Sequence, residues 1–180
     1  MGAGMGMGAG MGMGMGMGMG AGMEIEVRRA KAEDIDGIIR LLLQIAELHH
    51  RLRPDIFKKG SQKYGKGELC SILMNENRPV FVAADGSGAV LGYSFCIVSR
   101  HSSNAAMNDY SALFIDDFCV DESCQKLGIG KKIFEAVKDH ARRIGVRSID
   151  LNVWEGNEGA KLFYKSLGFT TQLRRMEMTI

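Results

Sequence analysis

Between Phe118 and Lys132 the chain reads Phe118-Cys119-Val120-Asp121-Glu122-Ser123-Cys124-Gln125-Lys126-Leu127-Gly128-Ile129-Gly130-Lys131-Lys132. An apolar, strand-like stretch passes through a short polar loop into a helix-like run, and the glycines fall at the helix entrance. Backbone there has no side chains to hold an anion away. The first amide N–H groups of a helix lack intrahelical acceptors, and the helix dipole favours negative charge. The chemistry this permits is the grip of a pyrophosphate by Gln125, Lys126, Leu127, Gly128, Ile129 and Gly130. Two familiar phosphate loops fail on these letters. A Walker A loop needs Gly in place of Gln125 and Ser or Thr in place of Lys132, and a dinucleotide fingerprint needs Gly in place of Ile133. Just before the loop, Asp116 and Asp117 interrupt the apolar run Ala112–Val120. Strand alternation sends the two carboxylates to opposite faces, so at least one meets a helix or a cleft, where a carboxylate needs a partner or a function.

Other reactive side chains are less suggestive. His49 and His50 are neighbours on a helix, about 100° apart, and do not make the i, i+4 pair of a helical metal site; no metal is expected. Cys70, Cys96, Cys119 and Cys124 form no CxxC pair, and two of them sit within apparent apolar strands, which suits reduced, buried thiols in a cytosolic protein. Cys119 and Cys124 flank the glycine loop, but no His lies near them in sequence to activate either as a nucleophile.

The pattern Gln125-x-x-Gly128-x-Gly130 resembles the acyl-CoA signature of the GNAT superfamily of N-acetyltransferases. A second block, Leu151-Asn152-Val153-Trp154-Glu155-Gly156-Asn157-Glu158-Gly159-Ala160-Lys161-Leu162-Phe163-Tyr164-Lys165-Ser166-Leu167-Gly168-Phe169, resembles that family's Asn-x-x-Ala-x-x-x-Tyr-x-x-x-Gly-Phe strand and helix at the family's distance from the first. The resemblance covers residues 112–170. It implies an acetyl-CoA-dependent transfer to a primary amine of a small molecule or protein, with CoA as product and no covalent acetyl-enzyme.

On the same grounds, main-chain groups of Phe118, Cys119 and Val120 would hold the pantetheine arm, although plain sheet core explains these residues equally. Asn157 would touch the cofactor and also cap its helix. Tyr164 aligns with the family's general acid for the departing thiolate; a phenol of pKa about 10 is protonated at neutral pH and can give that proton up. The alternative for Tyr164 is an aromatic core residue with a hydrogen-bonded hydroxyl. The run Ile115-Asp116-Asp117-Phe118 resembles the diamine acetyltransferases, which makes Asp116 a candidate for binding or deprotonating the amine, against a structural ion pair, and Asp117 a weaker one. Asn152 stands where some subgroups place Glu; it cannot accept a proton but can hold water or substrate. Glu47, His49, Asp55 and Tyr64 border the expected acceptor cleft or are simply solvated. A rival of another class is a non-catalytic CoA-binding sensor or scaffold, which loss of Tyr164 would have favoured.

These groups must be positioned by a predictable succession of elements. Glu24–Arg29 alternates as a strand, and Glu33 or Asp34 opens a helix carrying Ile35, Ile38, Ile39, Leu42 and Ala46 that Pro54 ends. A second helix lies between about Lys63 and Glu76. Val80–Ala84 and Val90–Ser99 form a hairpin around Asp85-Gly86-Ser87-Gly88, and Tyr110–Val120 is a third long strand. A helix over Gly128–Ile144, a strand over Ser148–Trp154 and a helix over Asn157–Leu167 follow, and Phe169–Thr179 reads as a last strand. The expected fold is α/β and GNAT-like: a mixed, largely antiparallel sheet of six to seven strands flanked by about four helices.

Residues 1–22 contain only Met, Gly and Ala and read as a low-complexity tail or tag, leaving 23–180 as a single acetyltransferase-like domain. The net charge of +2 is nearly balanced and its cations are scattered, so no nucleic-acid or membrane partner is indicated. No apolar run approaches the roughly 18 residues of a membrane span. A cytoplasmic protein is expected, and the last strand would offer an edge for a homodimer.

Overall fold

The computed structural model describes residues 24–102, 106 and 108–180; the Met/Gly segment 1–22 lies outside them. Within them run β1 (Ile25–Arg29), α1 (Ile35–Leu52), α2 (Lys66–Leu73), β2 (Val80–Asp85), β3 (Val90–His101), β4 (Tyr110–Val120), α3 (Ile129–Ile144), β5 (Ser148–Leu151) and α4 (Glu158–Ser166). The strands form one sheet in the order β1-β2-β3-β4-β5, antiparallel except for β4 and β5. Those two are parallel because α3 carries the chain back across the sheet between them. The β2–β3 turn closes through Asp85, whose Oδ1 accepts from Ser87 N at 2.9 Å and Ala89 N at 3.0 Å.

Each face of the sheet buries its own apolar cluster. Ile38, Leu41 and Leu42 of α1 and Leu69 and Ile72 of α2 cover one face with Tyr93 and Phe95; Ile129, Ile133, Phe134 and Val137 of α3 cover the other with Leu113 and Ile115. The entry to α1 is pinned by Asp34, only 2% exposed. Its carboxylate accepts from Arg28 Nη1 at 2.7 Å, Arg28 Nη2 at 2.9 Å and Lys31 N at 2.7 Å. This fork joins β1 to the start of the helix that carries half of one core.

The expected sixth strand is not there among the described residues. Residues 170–180 form no regular element and are exposed throughout. Thr170-Thr171-Gln172 and Arg174-Arg175 break the alternation, so only Met176, Met178 and Ile180 share a strand face, and no core lies beneath them. The tail is tied instead by Glu177 Oε1 to Arg53 Nη1 at 2.7 Å. Two other elements are shorter than expected: α2 spans Lys66–Leu73 and β5 stops at Leu151.

The alternation along β4 is also broken. Phe95 pairs with Asp117 but Cys96 pairs with Ile115, leaving Asp116 as the extra residue of a β-bulge. Side-chain parity reverses there: Leu113 and Ile115 face α3 before it, whereas after it Phe118 and Val120 face α3 and Cys119 faces α1. The expectation that Asp116 and Asp117 point to opposite faces is therefore overturned. The bulge turns both carboxylates toward the α1–α2 side, where one lysine reaches both.

Candidate functional site

β4 and β5 pair only through Ala112–Ile115 and Ser148–Leu151. Beyond Ile115 β4 continues to Val120 paired with β3 only, so among the described residues its other edge has no strand beside it from Asp116 onward. This open edge leads through a 3-10 turn at Glu122–Cys124 into the start of α3. There Lys126 has φ 63° and Gly128 φ 79°, two left-handed residues in three positions. Such a conformation is rare for Lys and ordinary for Gly, and it turns successive N–H groups into one concavity. Gly128 is the N-cap and no side chain caps the helix, which leaves its first amides facing outward. A β-carbon on Gly128 would meet nothing within 4 Å, whereas one on Gly130 would stand 3.0 Å from Phe163 Cζ. Gly128 thus gives conformation and an open cradle, and Gly130 lets α4 dock on the first turn of α3.

These features fit an acyl-CoA: uncapped amides for a pyrophosphate and, beside them, an unpaired strand edge for an amide-bearing arm. Ile129 is buried under the cradle, while the Leu127 side chain is exposed. The edge is not wholly free, because Gln44 Nε2 of α1 donates to the Val120 carbonyl at 3.1 Å and Gln44 Oε1 accepts from Glu122 N at 3.2 Å. Arg40 adds an ion pair to Asp121 and a bond to the Val90 carbonyl at 2.8 Å. Sequence reasoning missed this strap from α1.

At the apex of the opening stands the acid pair. Lys63 Nζ lies 2.9 Å from Asp116 Oδ2, 2.9 Å from the Asp116 carbonyl oxygen and 3.9 Å from Asp117 Oδ2. Tyr64 donates to Asp116 Oδ2 at 2.5 Å and accepts from Arg78 Nη2 at 2.9 Å. Asp117, whose side chain is 7% exposed, takes a long 3.4 Å contact from Tyr93 OH. Burial pushes its carboxyl up to about 6, the charge of Asp116 adds to the rise, and Lys63, the Phe118 N–H and Tyr93 oppose it. Neither Lys63 nor Arg78 is legible as a site residue in the sequence; the one signal was that a buried acid pair demands cations.

Tyr164 closes the other side. Its ring packs on Phe118 at 6.2 Å, Phe163 at 5.2 Å and Phe169 at 5.5 Å between centroids. Burial raises the phenol above its ordinary value, and the negative charge of Asp117 raises it further. No hydrogen bond from its hydroxyl is found among the described residues, unlike the satisfied hydroxyl of a core tyrosine. Asn157 Oδ1 accepts from Ala160 N at 3.0 Å and caps α4. Asn152 is exposed just past the end of β5. Phe57 stacks on His49 and meets Trp154 edge-on, while Arg53 lies over Trp154 and pairs with Asp55. Burial first, and Lys63 second, lower the pKa of His49.

Cys119, between the two machineries, is buried, and burial pushes its thiol up to about 12, which disfavours the thiolate at neutral pH. No group of three or more His, Cys, Asp or Glu arranged to hold a metal is found among the described residues. No helix among them is long and apolar enough to cross a membrane.

Residues 42–169 match the acetyltransferase (GNAT) family. Over 62 residues the chain is 39% identical to an uncharacterized N-acetyltransferase in the pepI 3' region of Lactobacillus delbrueckii subsp. lactis; the match takes in 34% of this chain and 36% of that relative. The crystal structure of a mutant BH1408 protein from Bacillus halodurans superposes with a TM-score of 0.83 at 30% identity, covering 86% of this chain and 99% of that one. An aminoglycoside N-acetyltransferase in complex with CoA superposes with a TM-score of 0.66 over 88% of this chain and 96% of its own. At 16% identity that last likeness concerns the fold alone.

Proposed function

The chain belongs to the acetyltransferase (GNAT) family, whose members draw on acetyl-CoA, and from that premise we propose direct transfer of the acetyl group to a primary amine of a small molecule or protein. One observation carries this reading. The open edge of β4 joins the uncapped start of α3 at one end to the acid pair at the other, with the unbonded Tyr164 hydroxyl nearby. The amides of Gln125–Gly130 hold the pyrophosphate, Phe118 and its neighbours hold the arm, and Asn157 supports the cradle from α4. Acetyl-CoA supplies an activated thioester. Asp116 binds the amine as an ammonium, Asp117 takes its proton, and Tyr164 protonates the leaving sulfur. Holding amine and thioester together supplies much of the rate.

Titration calorimetry tests the cofactor site. The native protein binds acetyl-CoA and CoA saturably, and Gly128→Trp does not, because the indole fills the cradle. The φ of 79° adds a strain of about 1–2 kcal/mol for any side chain there, so a melting curve accompanies the measurement. A well-folded native protein that ignores both ligands sinks the proposal.

The pH dependence of kcat/KM tests the proton acceptor. With Asp117 raised to about 6, activity climbs as pH rises through about 6, and that limb disappears in Asp117→Asn. Stability moves the other way. The folded state holds this proton more tightly than an unfolded carboxyl of pKa 3.8, so Asp117 adds stability as pH falls from about 6 toward 4. An acidic limb unchanged in the Asn variant removes Asp117 from the mechanism.

A further inference from the structure

The loop between α1 and α2, residues 53–65, contains no helix or strand apart from turns, yet one of its side chains reaches the centre of the site. The Lys63 ammonium meets the Asp116 carboxylate, the Asp116 carbonyl and, at longer range, the Asp117 carboxylate. All three oxygens belong to the bulge at the apex of the β4–β5 opening. Two exposed lysines on the same loop, Lys58 and Lys59, make no such contact. Lys63 keeps its side chain 40% exposed, so it is neither locked in a core nor shut off from a ligand lying along β4. An ammonium between two carboxylates and a main-chain carbonyl is what an amine acceptor would present to these groups.

We infer that Lys63 is a resident amine: it holds the acceptor's place at the β4 bulge and is itself acetylated when no other amine displaces it. The inference rests on the acetyl-transfer reading above. In the step, Asp117 takes a proton from the ammonium, and the freed Nζ lone pair attacks the thioester carbonyl. The C–N bond forms, the C–S bond breaks, Tyr164 delivers a proton to the departing thiolate, and the nitrogen gives up its second proton to restore the Tyr164 phenol as the amide forms. Acetyl-lysine and CoA result, with no change in oxidation state. The amide is neutral, so it loses its ion pairs to Asp116 and Asp117 and no longer competes for the site.

Two acylating agents applied to the whole protein separate placement from transfer, with lysines read by peptide mass spectrometry. Acetic anhydride, without acetyl-CoA, labels Lys63 about tenfold more slowly than the exposed Lys58 and Lys59, because its nitrogen is engaged by the Asp116 carboxylate and carbonyl and its side chain is only partly exposed. With acetyl-CoA and no added amine the order inverts: Lys63 is modified first, at a rate per molecule independent of protein concentration. The Tyr164→Phe variant loses the enzymatic preference and keeps the anhydride pattern. Equal labelling of the three lysines by anhydride overturns the placement. If Lys63 stays slow with acetyl-CoA while the same preparation acetylates small amines, the inference fails and the transferase reading stands. If the protein neither binds CoA nor consumes acetyl-CoA, both fall.

Discussion

Tyr164→Phe is expected to lower kcat by about 10²–10⁴-fold while acetyl-CoA affinity and melting temperature stay near native. The argument starts from what the substitution preserves. The ring contacts to Phe118, Phe163 and Phe169 are those of a phenyl group, so the aromatic cluster keeps its packing. The hydroxyl has no hydrogen-bond partner among the described residues, so its removal orphans nothing. What disappears is a proton held ready by burial and by the charge of Asp117, and only a leaving thiolate needs it. The deficit should therefore fall on kcat and shrink with an acyl donor whose thiol leaves without protonation. Steady-state rates beside a thermal melt decide the matter: a normal kcat in a well-folded variant removes Tyr164 from the chemistry.

The largest effect on stability is expected at Asp34. Asp34→Ala leaves the Arg28 guanidinium and the Lys31 amide without their acceptor at a nearly buried position, and breaking such a pair destabilises the fold by about 3 kcal/mol. Burial works to raise the Asp34 pKa, but the Arg28 fork, the Lys31 N–H and the positive charges prevail and hold it below the ordinary 3.8. A carboxylate depressed in the folded state gives stability that is complete above the unfolded value and drains away as pH falls below it. Urea unfolding of native and variant at pH 7 and near pH 3 should thus show a difference that narrows with acid. A loss under about 1 kcal/mol at pH 7 would place the pair with ordinary surface salt bridges.

What could be read from sequence was what chemistry writes locally. The glycines of the α3 entry and the cap at Asn157 depend on a few neighbouring residues, and both take the conformations expected of them. The five strands up to β5 follow from alternation and turn residues. The final strand does not, because an edge strand exists only if a neighbour and a core receive it, and residues 170–180 meet neither. The acid pair was visible as a demand for cations, but the supplier, Lys63, is brought there by tertiary folding. Asp116 and Asp117 were assigned to opposite faces because period 2 assumes an unbroken ladder, and a bulge is a compromise between two strands that neither reveals alone.

The bulge also decides where the chain tolerates a change of length. Removing Asp116 would put the ladder back in phase without turning any neighbour over, because Ile115 already faces Cys96 and Asp117 faces Phe95. Cys119 would stay under α1 and Phe118 on Phe163, so the aromatic wall beside Tyr164 would survive while the acid pair is lost. The loop of residues 53–65 carries no such phase. It can be lengthened, shortened or replaced without moving the thioester machinery, and with it would go Lys63 and the Phe57 side of the aromatic contact with Trp154. A deletion scan should therefore find two kinds of failure in one protein: at Asp116, loss of amine acetylation with CoA binding kept; in the loop, a change of which amine is accepted.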